Sequence, residues 1–200
     1  MGKHLEEASG EASGEAPALS RAPQVTAVAA GAVHDFSKAP QLWVRLLEGL
    51  GVEGDAHCGT TVRHRFARRR DPEQPNLRQV HLIQAELFDD LAPTGHVVRP
   101  GDLGENVTTT GIDLLTLPAG TELRLGAEAR VRLTGLRTPC RLIDGFQPGL
   151  MNHLWTRTDA GERVRRAGVM AVVVCGGTVS AGDAVEVALP PPPYRPLTPV

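Results

Sequence analysis

The sequence is poor in aromatic residues and in cysteine. Its 200 residues include four phenylalanines, two tryptophans, one tyrosine and three cysteines. An odd number of cysteines does not fit a disulfide-stabilised secreted domain, so we expect a reducing compartment, namely the cytoplasm. No apolar run approaches the roughly 20 residues that cross a bilayer, and no apolar stretch follows Lys3 as in a signal peptide. We therefore expect no membrane partner.

A strong excess of one charge is also missing. The formal net charge of -2 excludes a globally basic nucleic-acid-binding protein. One basic run, Arg63 to Arg70, holds five arginines and an aromatic residue. Such a run binds nucleic acid or another anionic partner in some proteins and is a solvated loop in others. Because the rest of the chain is neutral to acidic, nucleic acid is not the expected partner.

Glycine and proline, by contrast, are abundant. The 22 glycines and 16 prolines favour turns and strands over long helices. Residues 1–23 are mostly Ala, Ser, Gly and Glu, which predicts a disordered N-terminal tail. Residues 190–200 are rich in proline and predict an extended, disordered tail whose removal leaves stability unchanged. The folded domain is then expected over residues 24–189.

Short segments rich in β-branched and apolar residues, bounded by Gly, Pro or Asp, predict strands. They lie near Val25 to Ala30, Arg78 to Ile83, Thr121 to Leu125, Ala129 to Leu133, Val169 to Cys175 and Ala184 to Ala188. The link Gly126 to Glu128 predicts a hairpin. Helices are expected over Gln84 to Leu91 and from near Pro139. The fold class is therefore mainly β, with short strands forming a closed or nearly closed barrel.

Four segments have a more specific composition than folding alone requires. They are His34 to Lys38, the glycine-rich Gly51 to His57, the segment Gly101 to Gly111 (GDLGENVTTTG), and Thr138-Pro139-Cys140. Together they resemble the MOSC domain, the C-terminal module of molybdenum cofactor sulfurases, which also occurs as small stand-alone bacterial proteins. The resemblance runs from about Val25 to Val187. It implies a MOSC-type β-barrel with a few short helices and disordered tails.

Cys140 is the principal candidate for chemistry. A cysteine just inside a helix start, flanked by Arg137 and Arg141, is in a position that favours the thiolate. A thiolate acts as a nucleophile, a persulfide carrier or a ligand for a soft metal, whereas an inert buried cysteine acts only in packing. Cys175 lies in an apolar run and is expected in the core. Cys58 follows His57, and this pair alone cannot complete a zinc site.

Several polar residues suit a pterin cofactor that carries a phosphate. Hydroxyls, amides and cations would contact such a group, and each also has an ordinary structural role in turns and strands. The candidates are Ser37, Lys38, Asn106, Thr108, Arg137 and Thr138. His57 is a candidate proton donor or orienting residue, or else is satisfied within the core while Asp55 ties a turn.

The resemblance implies a function as well as a fold. In MOSC proteins the cysteine matching Cys140 coordinates molybdenum or carries sulfur. Relatives with this arrangement are molybdenum-dependent oxidoreductases that reduce small N-hydroxylated substrates with electrons from an external donor protein. The alternative is a non-catalytic carrier, in which Cys140 holds persulfide sulfur or the domain delivers molybdenum cofactor.

Overall fold

The computed structural model describes residues 22–63, 71–157 and 161–200. The predicted N-terminal tail up to residue 21, and the basic run after Arg63, lie outside the described residues. Within them the strands are β1 (Gln24–Ala30), β2 (Ala39–Gln41), β3 (Trp43–Leu47), β4 (Gly51–Val52), β5 (Val80–Gln84), β6 (Val107–Thr110), β7 (Glu122–Leu125), β8 (Ala129–Leu136), β9 (Trp155–Arg157), β10 (Arg163–Arg165), β11 (Val169–Cys175), β12 (Gly177–Ser180) and β13 (Val185–Ala188). The helices are α1 (Glu86–Leu91), α2 (Leu142–Phe146) and α3 (Leu150–His153), with a 3-10 turn at Ala92–Thr94.

Most strands belong to one large sheet. Eight strands pair in the order β13-β7-β8-β11-β5-β6-β1-β2. Within this sheet β5 and β6 pair in parallel, and the other neighbours are antiparallel. Strand β3 pairs with β4 and β12, and β9 pairs with β10. Leu125 lies opposite Ala129, which confirms the hairpin predicted around Gly126.

The prediction of a mainly β fold is confirmed, but the prediction of a closed barrel is wrong for the described residues. The large sheet ends at β13 and at β2. The start of β1 meets the segment just before β13 through the isolated bridge between Gln24 and Ala184 and through hydrogen bonds of Val25 with Gly182 and Asp183. A bulge between Val25 and Ala27 disrupts the pairing of β1, and bulges bend strands. Farther along, β2 pairs with β1 from Val28 onward. Because β2 occupies the second half of the β1 edge, only the start of β1 meets the chain before β13, and no continuous ladder closes the sheet among the described residues.

The core follows the strand period of two. In β8 the side chains of Ala129, Val131 and Leu133 are buried, while Arg130 and Arg132 point to solvent. A second cluster of buried residues joins the helices to the sheet, and it consists of Ile83, Leu87, Leu91, Val98, Leu103, Ile143, Leu150, Leu154 and Ala167. None of the helices described is long and apolar enough to cross a bilayer.

The segment 195–200, here called the C-terminal strap, packs on the sheet. Leu197 is buried in the main core, and the Leu136 N–H donates a 2.8 Å hydrogen bond to the Thr198 carbonyl. Pro199 pairs in parallel with Leu136. The prediction of a disordered C-terminal tail is therefore wrong for these residues. The prolines of this segment lack an N–H, but its carbonyl groups still accept hydrogen bonds from the sheet. Leu197 supplies apolar surface that is buried on folding.

Candidate functional site

A cavity of about 730 Å³ opens where the loops after β1, β4 and β8 meet the ends of β5 and β6. This volume is typical of sites for cofactors and small organic molecules. Part of its wall is apolar and is formed by Phe36, Leu103, Leu142, Met151 and Met170. Five of the residues predicted from sequence also line it, namely Lys38, Asn106, Arg137, Thr138 and Cys140.

Two of the predicted motifs form one structural unit beside this cavity. The Lys38 N–H donates to the Gly101 carbonyl at 2.8 Å. Gly101 and Gly104 have φ values of 90° and 79°, and a Cβ added at Gly104 would lie 2.5 Å from the Phe36 carbonyl oxygen. Only glycine combines this backbone conformation with so close an approach. The glycines of GDLGEN therefore hold the loop 34–38 against the rest of the site.

Asp55 is the centre of a buried polar network. Its Oδ2 accepts hydrogen bonds from Lys38 Nζ at 2.8 Å, Gly31 N at 3.2 Å and Asn106 Nδ2 at 3.0 Å. Its Oδ1 accepts from His57 N at 2.9 Å and His57 Nδ1 at 3.2 Å. The Asp55 side chain is 1% exposed and that of Lys38 is 6% exposed. A buried carboxylate with this many donors is held in the charged form.

The titration of this pair follows from its surroundings. Burial by itself would raise the pKa of Asp55, but hydrogen bonds from His57 and the charge of Lys38 outweigh it, so the pKa lies below its ordinary value. Burial lowers the pKa of Lys38, and the adjacent Asp55 carboxylate opposes that shift. The ion pair is the form that satisfies both side chains in this site.

Asn106 has little capacity left for a ligand. Besides Asp55, its Nδ2 donates to the Ala29 carbonyl at 3.2 Å, and its Oδ1 accepts from the His81 N–H at 3.2 Å. This matches the structural alternative considered from sequence, in which Asn106 holds backbone. Although it lines the cavity, its side chain joins β1 and β5 to the Asp55 network.

Ser37 and Thr108 are not among the lining residues. The Ser37 hydroxyl donates to the Asp102 carbonyl at 2.8 Å. The Thr108 hydroxyl donates to Glu105 Oε1 at 3.3 Å, and Thr108 is 1% exposed. Both hydroxyls therefore serve contacts inside the protein.

Another part of the cavity wall is cationic and incompletely paired. Arg78, Arg137 and Arg141 line it. Nη1 of Arg137 is buried and has no hydrogen-bond partner among the described residues, and the same holds for Oε2 of Glu105. Burial lowers the pKa of Arg137, while nearby Cys140 and Glu105 oppose this shift. Burial likewise raises the pKa of Glu105.

Cys140 lies on this cationic side but not inside a helix. Helix α2 begins at Leu142, and the Cys140 carbonyl accepts a 3.0 Å hydrogen bond from the Ile143 N–H. The prediction that the helix starts near Pro139 is therefore wrong by about three residues. A longer helix would need Pro139 and Cys140 to turn helical, whereas here they form the cavity wall. The neighbouring arginines, and not a helix dipole, give Cys140 its positive surroundings.

The other two cysteines lie away from the cavity lining. Burial and the nearby Asp55 carboxylate raise the pKa of the Cys58 thiol. Cys175 is half-buried at the end of β11, with its Sγ 3.6 Å from the Gly176 carbonyl oxygen, so it is less enclosed than expected. No group of three or more His, Cys, Asp or Glu side chains within the described ranges is placed to hold a metal ion. A metal bound at Cys140 must therefore bring other ligands with it.

Sequence reasoning missed several residues of the site, among them His81, Arg78 and Val200. His81 lies in β5 and its Nε2 contacts the Ala167 carbonyl oxygen at 2.8 Å. Burial and the charge of Arg137 lower the pKa of His81 well below its ordinary value, so the ring is neutral. Arg78 donates to the Val200 carbonyl oxygen, and both residues line the cavity. The available signal was polar residues at the start of an otherwise buried strand.

Comparison with family models matches the MOSC domain over residues 57–186. The chain belongs to the MOSC domain family. The matched range includes Asn106, Arg137 and Cys140, while the loop 34–38 precedes it. Comparison with curated protein sequences gives no significant match.

Solved structures with the same fold include three bacterial proteins. The YuaD protein from Bacillus subtilis superposes with a TM-score of 0.68 at 22% identity, covering 84% of this MOSC chain and 96% of that chain. YiiM from Escherichia coli gives 0.56 at 18% identity, covering 86% and 73%. YiiM from Geobacillus stearothermophilus gives 0.55 at 16% identity, covering 83% and 75%. At these identities the likeness concerns the fold.

Proposed function

We propose that this MOSC domain binds a molybdenum cofactor in the cavity, with Cys140 as the protein ligand to the metal. The observation that carries the proposal is the side chain of Arg137, which lines a cavity of about 730 Å³ together with Cys140 and whose buried Nη1 has no hydrogen-bond partner among the described residues. A buried guanidinium donor without a partner favours an anionic ligand. A cysteine thiolate is in turn a suitable donor for a soft metal centre.

The residues of the cavity would divide the work of binding. Arg137 would donate to an anionic group of the cofactor, and the exposed Thr138 hydroxyl would add a donor beside it. Lys38 and Asn106 would contribute mainly to the shape and charge of the wall, because their donors are engaged by Asp55. Ser37 and Thr108 would support the loop and the strand behind them.

The reaction we propose is reduction of a small N-hydroxylated compound, with an external electron donor protein. A molybdenum cofactor held at Cys140 would supply a two-electron redox centre. The apolar wall around Met151 and Met170 would hold the organic part of the substrate. The arginines on the cationic side would disfavour the binding of competing cations.

A persulfide carrier is the second candidate, and the same site favours it. The positive charges of Arg137 and Arg141 would stabilise a persulfide anion on Cys140, and Cys140 lines the cavity. The two candidates differ in what remains bound to the purified protein.

The test is purification of the full chain from a host that makes molybdenum cofactor. Bound molybdenum and pterin near one per chain are expected in the wild-type protein, and Cys140→Ser should lose the molybdenum while keeping its circular dichroism spectrum and melting temperature. Cys58→Ser and Cys175→Ser are the matched controls and should retain it. Persulfide sulfur on Cys140 with little metal would establish the carrier instead. Full activity in Cys140→Ser would reject both.

A further inference from the structure

His57 is held by Asp55 with one ring edge against the cavity. His57 Nδ1 lies 3.2 Å from Asp55 Oδ1, and the backbone N–H of His57 binds the same oxygen at 2.9 Å. A carboxylate only accepts hydrogen bonds, so Nδ1 carries the proton of this contact. The tautomer is thereby fixed, and Nε2 is the ring nitrogen left to exchange a proton with a ligand.

The position of the ring suits proton transfer. The side chain of His57 is 27% exposed and lines the cavity, while Asp55 behind it is 1% exposed. The ring of His34, an exposed residue, lies edge to face with that of His57 at 5.0 Å between centroids. His57 is therefore held from behind, open to the cavity in front and close to bulk solvent at one side.

Other proton-bearing groups of the cavity are less suited to this task. Lys38 already donates to Asp55, and its deprotonation would leave that buried carboxylate without its counter-charge. His81 is neutral, and its Nε2 is engaged by the Ala167 carbonyl. Arginines remain protonated at all ordinary pH values. His57 combines a ring nitrogen held by Asp55 with a partly exposed ring on the cavity.

We propose that His57 is the catalytic acid of this site, donating a proton from Nε2 to the oxygen that leaves the substrate. This inference rests on the proposed reduction of an N–O bond. For an amidoxime, two electrons from the external donor and two protons break the N–O bond, giving the amidine N–H and water. His57 delivers the proton that turns the leaving hydroxyl into water, and solvent reprotonates the ring. Asp55 is the positioning residue for the imidazole.

The first test needs no cofactor. In protein labelled with ¹⁵N-histidine, NMR should show the neutral ring of His57 protonated at Nδ1, and Asp55→Asn should weaken that preference. A neutral ring that carries its single proton on Nε2 in the wild-type protein would overturn the proposal, because Asp55 would then not hold the Nδ1 proton.

The second test uses the loaded full chain, with benzamidoxime as the probe and reduced methyl viologen as electron donor. His57→Gln should keep its molybdenum and pterin and lose about 100-fold or more in kcat. His57→Ala should recover part of its rate with added imidazole, a response that a purely structural role would not give. His153→Gln, at a histidine outside the cavity lining, is the matched control and should keep full activity.

The possible failures are distinguishable. A wild-type protein that holds no molybdenum or pterin would reject the proposed function and this inference together. A loaded His57→Gln variant with more than half of the wild-type kcat would reject the role of His57 and leave the proposed function standing. Loss of activity without rescue of His57→Ala by imidazole would also reject it, provided that imidazole binds the variant.

Discussion

The two sides of the cavity differ in how completely their charged side chains are paired. On one side Asp55 is surrounded by donors from Lys38, Asn106, His57 and the Gly31 backbone, so its charge is balanced within the protein. On the other side Arg137 is buried beside Cys140 with Nη1 unpaired in the part of the chain that is described. The first side is complete without a ligand and provides rigidity. The second is complete only with one, which is why we place the ligand there.

The largest effect on stability should come from disrupting the network of hydrogen bonds around Asp55. Asp55→Ala leaves Lys38 buried without its counter-charge and should lower the free energy of unfolding by about 3–5 kcal/mol. Denaturant titration checks this, with Asp35→Ala, at an exposed carboxylate on the same cavity, as the control with little effect. The double variant Asp55→Asn, Lys38→Met removes both charges of the ion pair and should be more stable than Asp55→Ala. If it is not, the buried ion pair is not the source of the lost stability.

The next largest effect on stability should come from the C-terminal strap, in which the Val200 carbonyl accepts a hydrogen bond from Arg78. Leu197 is 7% exposed, so Leu197→Ala should cost about 2 kcal/mol through lost burial and a small cavity. Leu189→Ala, at a residue that is 52% exposed, should cost little. Equal melting temperatures for the two variants would show that the strap does not contribute to stability.

Low pH should reduce the contribution of Asp55 to the free energy of unfolding. The pKa of folded Asp55 lies below its ordinary value of 3.8, so its contribution to stability is fully present above the unfolded pKa and is lost as pH falls towards the folded pKa. The difference in unfolding free energy between wild type and Asp55→Asn should therefore be constant near neutral pH and shrink below about pH 4. Urea titrations at several pH values measure it, and a difference that grows in acid would contradict the assignment.

The smallest effect on stability should come from a substitution of Arg137. Arg137→Met replaces an incompletely paired charge by an apolar side chain, so the free energy of unfolding of the cofactor-free protein should change by no more than about 1 kcal/mol in either direction. The pterin content of this purified variant should be lower than that of the wild type by a factor of about ten or more. Arg130→Met, at an exposed arginine of β8, is the control and should retain pterin normally. A large loss of stability in Arg137→Met would show that this side is also complete without a ligand.

Local pattern was sufficient for much of the fold and for part of the site. The alternation in β8 and the turn at Gly126 predicted a hairpin that the structure confirms. Cys140, Arg137 and Lys38 were found because thiols and cations near prolines and glycines are conspicuous in sequence. The closed barrel and the disordered C-terminal tail were wrong, because both depend on which distant segment occupies an edge. Neither β2 beside β1 nor Leu197 in the core has a local signal.

The sequence by itself determined the mainly β class and the types of side chain available to the site, because strand periodicity and residue chemistry are local properties. The tertiary structure alone decided the partners. Asp55 contacts Asn106 across 51 positions and Gly31 across 24, and these contacts join Lys38 and Asn106 in one polar network beside the cavity. Whether a buried polar group is satisfied depends on which atoms surround it after folding. For this reason the unpaired donor of Arg137 became apparent only in three dimensions.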